Sequence, residues 1–391
     1  MLSNNTRHHR HRLRCLGAAL GVMAATYGAA QAAAPASAKG NWSEFGFVPS
    51  GGRFNPHENI LNTTNVGGLK VLWSAQDGSF PFTAPAAVNG VVYSGTNAFD
   101  AATGKLLWAT NSGGLSPAVS KGTVYIDSFF GLCAYAAAGG TNLWCAGTNY
   151  LPDAPSAAVV VDGIAYFGSA VGSIFAINAA TGEQLWSAPI SANNAASSPA
   201  VANGVVYING DDLRAFDAKT GAQLWSSSIL GGVNTSSPAV VRGVVYAGGR
   251  VVAAFNAATG AVLWSLSPGG PLSIPEDSPA VAKGMVYIGA SVPGPRGTFT
   301  GTVYALNAHT GKTVWSAPVA SGITSSPSIA NGVVYVGSDG GTLYAFNAKT
   351  GAQLAAVAGV AGQSTPTVAN GVVYSETTES GELFALGVGA N

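Results

Sequence analysis

Apolar and polar residues alternate in short bursts along this chain of 391 residues, and the bursts recur. Residues 198–226 hold one period: Ser-Pro-Ala-Val-Ala, then Gly204, then Val205-Val206-Tyr207-Ile208, then Leu213-Arg214-Ala215-Phe216, then Gln223-Leu224-Trp225. Runs this short, rich in Val, Ile, Tyr, Phe and Trp and punctuated by Asn-Gly and Thr-Gly, predict strands joined by tight turns, and no window keeps a helical period. The phrase Ser-Pro-Ala-Val-x-x-Gly-x-Val-Tyr places its glycine at Gly90, Gly122, Gly163, Gly204, Gly243, Gly284, Gly332 and Gly371. A second phrase, Ala-x-Asp/Asn-x-x-Thr-Gly-x-x-x-Trp, ends at Trp108, Trp186, Trp225, Trp264 and Trp315. A repeat near 40 residues announces a solenoid, an array or a propeller. Eight units of four strands predict an all-β, eight-bladed propeller of four-stranded antiparallel blades.

The last unit stops at Asn391 without its fourth strand, while Leu69-Lys70-Val71-Leu72-Trp73 has no first three strands before it. These N-terminal residues are expected to complete the last blade and close the ring, removing its free edges. The expected organisation is a signal peptide over 1–32, an N-terminal extension over 33–65 lying against one face of the ring, and the propeller over 66–391. One tryptophan per blade, at Trp73, Trp108, Trp144, Trp186, Trp225, Trp264 and Trp315, is what packing between blades demands. The unit ending at Trp144 has Ala136 and Gly139 in place of the Asp/Asn and Thr, and the seventh has Ala355 in place of Trp, so both are expected to be weaker. Asp100, Asp217, Asn178, Asn256, Asn307 and Asn347 read as turn-capping residues.

Composition adds a compartment. Arg7, Arg10, Arg12 and Arg14 precede a small apolar run ending in Ala30-Gln31-Ala32, the pattern of an export signal. Without those arginines 13 basic residues face 17 acidic ones, a net charge of −4 that argues against nucleic acid. Only Cys133 and Cys145 then remain, on neighbouring strands either side of a turn, and an oxidising destination favours a disulfide between them. No further segment is long and apolar enough to span a bilayer, and a monomer in the periplasm or outside the cell is expected.

With these phrases in hand, the chain resembles the propeller family whose repeat is named after pyrroloquinoline quinone, over roughly residues 41–391. Asn41-Trp42-x-x-Phe45-Gly46, Arg53-Phe54-Asn55-Pro56 and Asn65-Val66-x-x-Leu69-Lys70-x-x-Trp73 are similar to the lead-in of quinoprotein dehydrogenases. The same repeat occurs in non-catalytic envelope proteins, so it identifies a fold more sharply than an activity. The resemblance implies, for an enzyme, a calcium held by a carboxylate and an amide, an Asp base and adjacent cysteines. Adjacent cysteines are absent, most connections are short, and no family catalytic residue maps onto this sequence.

Other chemistry is sparse. His57 and His309 are the histidines outside the signal segment, no zinc or copper spacing occurs, and Asp211-Asp212 or Glu276-Asp277 read as solvated acids before they read as an oxygen-only calcium site. A ligand face is expected where irregular loops converge: Asp77, Phe80, Phe82, Phe129, Phe130, Tyr150, Asp153, Asp211, Asp212, Glu276, Asp277 and Arg296. The sequence alone therefore favours an exported, non-catalytic propeller that binds or scaffolds an envelope or extracellular protein or glycan, with no cofactor, no metal and no catalytic residue. The alternative is a quinoprotein oxidoreductase binding pyrroloquinoline quinone and calcium in the central funnel.

Overall fold

The computed structural model describes residues 40–389, apart from 78–83, 112–113, 115, 129–130, 148–155, 170–171, 191–196, 231–235, 269–276, 295–297 and 379. Eight four-stranded antiparallel blades follow one another, accompanied among the described residues by a single 3-10 turn, Val66–Gly68. Blade four shows the rule, with strands Ala200–Ala202, Val205–Asn209, Leu213–Asp217 and Gln223–Ser227 from the axis outward. Its first turn needs two residues in left-handed backbone, and Asn203 and Gly204 supply them at φ 51° and 74°. The inner strands are buried while the outermost alternates toward solvent, as the pattern of Val205, Tyr207 and Gln223 requires.

Each outer-strand tryptophan docks onto the following blade. The Trp186 indole N–H and the Tyr166 hydroxyl both donate to the Ala218 carbonyl, each at 3.0 Å. The indole lies flat against Gly221 of the Thr-Gly turn, where a Cβ would come within 2.7 Å of the ring. The same arrangement joins Trp73 to Gly104, Trp108 to Gly140, Trp144 to Gly182, Trp225 to Gly260, Trp264 to Gly311 and Trp315 to Gly351. Ala355 has a structural reason. Blade eight takes its fourth strand from the N-terminal side of the chain, so no Thr-Gly turn is there for an indole to meet. The Val66–Gly68 turn sits there instead, Gly67 close to the Leu354 carbonyl.

The ring closes as the incomplete ends predict. Leu69–Gln76 pairs antiparallel with Glu382–Val388, placing Trp73 opposite Ala385. Serine hydroxyls tie neighbouring blades near the axis: Ser198 N–H donates to Ser237 Oγ, Ser237 N–H to Ser278 Oγ and Ser278 N–H to Ser326 Oγ. These serines are occupied holding the ring together.

The lead-in does more than lie against one face. An innermost strand is an open edge with unpaired amides, and residues 42–55 visit all eight. Trp42 exchanges two backbone hydrogen bonds with Ala87. The carbonyls of Ser43, Pro49, Ser50, Gly52 and Arg53 accept the amides of Val119, Val201, Val240, Val281 and Ile329 at 2.7–2.9 Å. The Glu44 carboxyl accepts the Val160 amide of blade three, and Asn55 Nδ2 donates to the Val368 carbonyl of blade eight. Such a strap runs along the inner edges of all eight blades, at the axis of the ring.

Candidate functional site on the loop face

Strands one and two of each blade meet at two-residue turns that end in glycine, such as Asn203-Gly204 and Lys283-Gly284; strands two and three, and successive blades, are joined on the opposite face. Chemistry collects on that second face. Two residues beyond the strand-two tyrosine, five blades carry glycine: Gly95, Gly168, Gly248, Gly289 and Gly337. The position is crowded, since a Cβ at Gly289 would collide with Asp277 Oδ2 and one at Gly337 with the Gly362 carbonyl. The other three blades place Asp127, Asn209 and Glu376 there, all at 1% exposure. Burial of such groups requires partners. Asn209 Nδ2 donates to the Ser236 carbonyl at 2.8 Å, while its Oδ1 has no partner.

Glu376 belongs to a carboxyl pair across the closing seam. Ser94 Oγ in blade one lies 2.5 Å from Asp77 Oδ2, at the end of the closing strand, and also contacts Glu376 Oε1 in blade eight. A hydroxyl has one hydrogen to donate. Burial, most strongly, and the Asp77 charge hold the Glu376 carboxyl well above the usual carboxylate range.

Arg53 rises from the strap toward the same face. Its amide donates to the Gly46 carbonyl and its own carbonyl accepts the Ile329 amide, which holds the residue at φ 48°. From there Nη1 donates to the Gly51 and Pro279 carbonyls at 3.2 and 3.1 Å. The guanidinium is fully buried, with the Phe45 ring centroid 4.4 Å from its carbon. Burial lowers its pKa to about 9, against the opposing effect of Asp277, so it remains a cation at neutral pH. Glu44, the other buried ionisable group of the strap, is pushed up to about 8 by desolvation, with the Val160 amide opposing.

The loop residues expected to form a ligand face are distributed unevenly. Asp77 joins Glu376, and Asp277 is buried near Arg53, its carbonyl accepting Ser236 Oγ at 2.9 Å. Asp212 makes a partly exposed ion pair with Arg214 at 3.5 Å, and Asp211 beside it is also partly buried. Phe80, Phe82, Phe129, Phe130, Tyr150, Asp153, Glu276 and Arg296 lie outside the described residues. Among the described residues no group of three or more His, Cys, Asp or Glu could hold a metal ion. Cys133 and Cys145, paired neighbours on the third and fourth strands of blade two, form a disulfide with Cα atoms 4.0 Å apart. His309 is in an Asn307-capped turn, as its place in the repeat implies.

Sequence reasoning passed over Arg53, Glu44, Asp127, Asn209 and Glu376. For the last three a signal was present: each breaks the run of glycines two residues after the repeated tyrosine. For Arg53 and Glu44 the resemblance of the lead-in was legible, but its passage along the axis was not.

The ring, its tryptophan docking and its strap define an eight-bladed propeller of the pyrroloquinoline-quinone repeat class. The chain belongs to the family described as outer membrane protein assembly factor BamB, whose profile matches residues 70–212, 209–292 and 299–388. Among curated proteins it is 31% identical over 160 residues to the dehydrogenase subunit of a quinone alcohol dehydrogenase from Gluconacetobacter polyoxogenes, and equally so to that from Gluconobacter oxydans. Those matches take in 38% of this chain and only 17% of the relatives' length. Among solved structures, a quinohemoprotein alcohol dehydrogenase from Comamonas testosteroni aligns with TM-score 0.75 at 17% identity, covering 90% of this chain and 81% of that one. A europium-containing methanol dehydrogenase aligns at 0.70 and 15% identity (89% and 98%), and BamB from Moraxella catarrhalis at 0.64 and 18% (82% and 99%). At such identities the structures show a shared fold.

These relatives correct two expectations, the non-catalytic scaffold and the absence of any cofactor: the curated proteins matched in sequence are dehydrogenase subunits named for a quinone. The expectation failed because it weighed features that are local in sequence, adjacent cysteines and large insertions. Funnel groups come from separate blades and meet only when the ring closes.

Proposed function

We propose that this chain is an exported quinone-dependent oxidoreductase propeller acting on alcohols, with its redox group in the loop-face funnel. The observation that carries the reading is the 31% identity to quinone alcohol dehydrogenase subunits over 160 residues. Two features of the funnel support it. A fully buried guanidinium with unpartnered N–H groups suits an anionic group, and Asn209 Oδ1 offers an unpartnered acceptor. The Asp77–Ser94–Glu376 cluster suits a reaction in which an alcohol loses a proton, because a buried carboxyl raised above its usual range, hydrogen-bonded through a serine hydroxyl, is a group that can take up or pass on a proton. Pyrroloquinoline quinone, when bound, supplies the two-electron acceptor. The described residues contain no three-ligand cluster for a metal ion, and no step here runs through one.

Export accords with the disulfide and with the basic, then apolar, first 32 residues. Among the described residues no helix is long and apolar enough to cross a membrane.

Calorimetric titration of the purified protein with pyrroloquinoline quinone, with and without calcium, alongside a dye-coupled assay on primary alcohols, tests the reading. Saturable one-to-one binding and dye reduction are expected. Neither binding nor turnover under both conditions would remove it.

A further inference from the structure

We propose that the turn face of the ring, opposite the loop face, is a docking surface for an anionic phospholipid bilayer, which it meets through cations spread around the ring. The charge of this protein is sorted by face. Among the described residues the turn face carries eight Lys or Arg against five carboxyl groups, a formal charge of +3, and the loop face carries two against eight, a formal charge of −6. The negative charge of the chain as a whole therefore conceals a basic side.

Two sets of positions supply the cations. At the first turn of each blade one residue takes left-handed backbone, which Asn tolerates better than most side chains, and Asn89, Asn203, Asn331 and Asn370 fill it in four blades. Blades two, five and six hold Lys121, Arg242 and Lys283 there instead, at φ 49°, 53° and 48°, each exposed. The fold gives no reason for a long cation in that strained backbone. The second set, Lys70, Lys105, Lys219, Lys312 and Lys349, stands at the Thr-Gly turns and the start of the closing strand, again exposed. None of the eight makes an ion pair with another described residue. The carboxyl groups of this face are largely engaged. Asp100 and Asp217 accept the amides and hydroxyls of Thr103 and Thr220, with Lys105 and Lys219 acting on them from nearby. Glu58 is buried and accepts the amides of Ile60, Leu61 and Gly371. The remaining two, Asp162 and Glu183, are exposed and both belong to blade three.

The shape of the face selects the occupant. Every strand connection on it is a turn of two or five residues, so no loop projects. Seven blades contribute at least one cation, all but blade three. Charge spread round a broad, low face suits a sheet of charge, whereas a protein partner is gripped mainly at a compact, desolvated centre. The lead-in adds an apolar contact, for Ile60 lies over Gly371 on this face and is 49% exposed. The chain also enters the ring here, Asn41 hydrogen-bonding to Asn89 in the first turn of blade one. What precedes Asn41 in sequence is the basic and apolar stretch that export brings to a membrane. None of this depends on what the funnel holds.

Flotation of the purified protein with vesicles of equal parts phosphatidylglycerol and phosphatidylcholine, and with phosphatidylcholine alone, tests the surface. Wild type is expected to float with the anionic vesicles, to stay behind with the neutral ones, and to be released as salt shortens the screening length. Arg242 and Arg250 stand beyond opposite ends of one strand, Val244–Ala247, so their substitutions remove the same charge from opposite faces. Arg242→Asn should weaken binding to the anionic vesicles about fivefold, and Arg250→Asn should leave it unchanged. The triple variant Lys121→Asn/Arg242→Asn/Lys283→Asn should weaken it roughly 100-fold. That variant installs the residue four other blades use, so its Tm should be no lower than that of wild type and lost binding is not lost folding. Failure of wild type to bind the anionic vesicles, equal binding to both kinds, or equal effects of Arg242→Asn and Arg250→Asn would overturn the proposal. So would binding to poly-glutamate that the triple variant loses, without binding to vesicles, which would give the face to an acidic protein.

Discussion

Gly221 and Gly204 show how much one hydrogen in place of a methyl group controls. Both have left-handed backbone, at φ 72° and 74°. A Cβ at Gly204 meets nothing within 4 Å, whereas one at Gly221 comes within 2.7 Å of the Trp186 indole. Gly204→Ala should therefore cost only the backbone strain, about 1–2 kcal/mol. Gly221→Ala adds overpacking against a docked ring and should cost about 2–4 kcal/mol. Urea unfolding of the two variants checks the difference; equal losses would mean that the indole is not seated on the turn. The same scale sets the limits of legibility. Asp217 was readable as a turn residue because its partners, Lys219 N–H, Thr220 N–H and Thr220 Oγ1, lie within three residues. Those bonds hold its carboxyl below the usual range, the Thr220 hydroxyl most strongly. Glu376 was not readable as half of a carboxyl pair, because Ser94 is 282 positions away.

Blade two shows how an element compensates for a poor sequence. Its third-to-fourth turn has lost the side chains that cap the others, Ala136 standing where Asp217 stands in blade four and Gly139 where Thr220 does. Backbone bonds from Gly139 and Gly140 to the Ala136 carbonyl still form the turn, and Cys133–Cys145 cross-links the two strands that flank it. The bridge spans a sequence separation of 12, for which restriction of the unfolded chain suggests about 3 kcal/mol. The double variant Cys133→Ser/Cys145→Ser should lower stability by about that amount, and dithiothreitol should reproduce the loss in wild type. An unchanged unfolding midpoint in both would deny the bridge this role. Strand positions and turns were legible throughout, because period-two burial and left-handed turn residues are properties of a few consecutive residues.

The whole molecule depends on a strap that touches every blade, and Glu44 makes that strap pH-sensitive. Its carboxyl titrates near 4.5 in an unfolded chain and at about 8 when folded, because burial penalises the charge. Between those values the folded state holds a proton that the unfolded state has released, so stability falls as pH rises, by up to about 1.4 kcal/mol per pH unit. The contribution is complete below about pH 4.5 and gone above about 8. Glu44→Gln, neutral at every pH and still able to accept the Val160 amide, should match wild type near pH 4.5 and exceed it at pH 8. Parallel stability curves for the two proteins would exclude Glu44 as the source. The sequence by itself determined the number of blades, their four-strand composition, the tryptophan docking and the closure by Leu69–Gln76, because each follows from a pattern repeated within about 40 residues. Only the tertiary structure decided what occupies the axis and what chemistry the funnel holds. Arg53 and Pro279 lie 226 positions apart, and the groups around the funnel come from single positions on different blades. The hydrophobic pattern that folds each blade is silent about which of them face one another once the ring is closed.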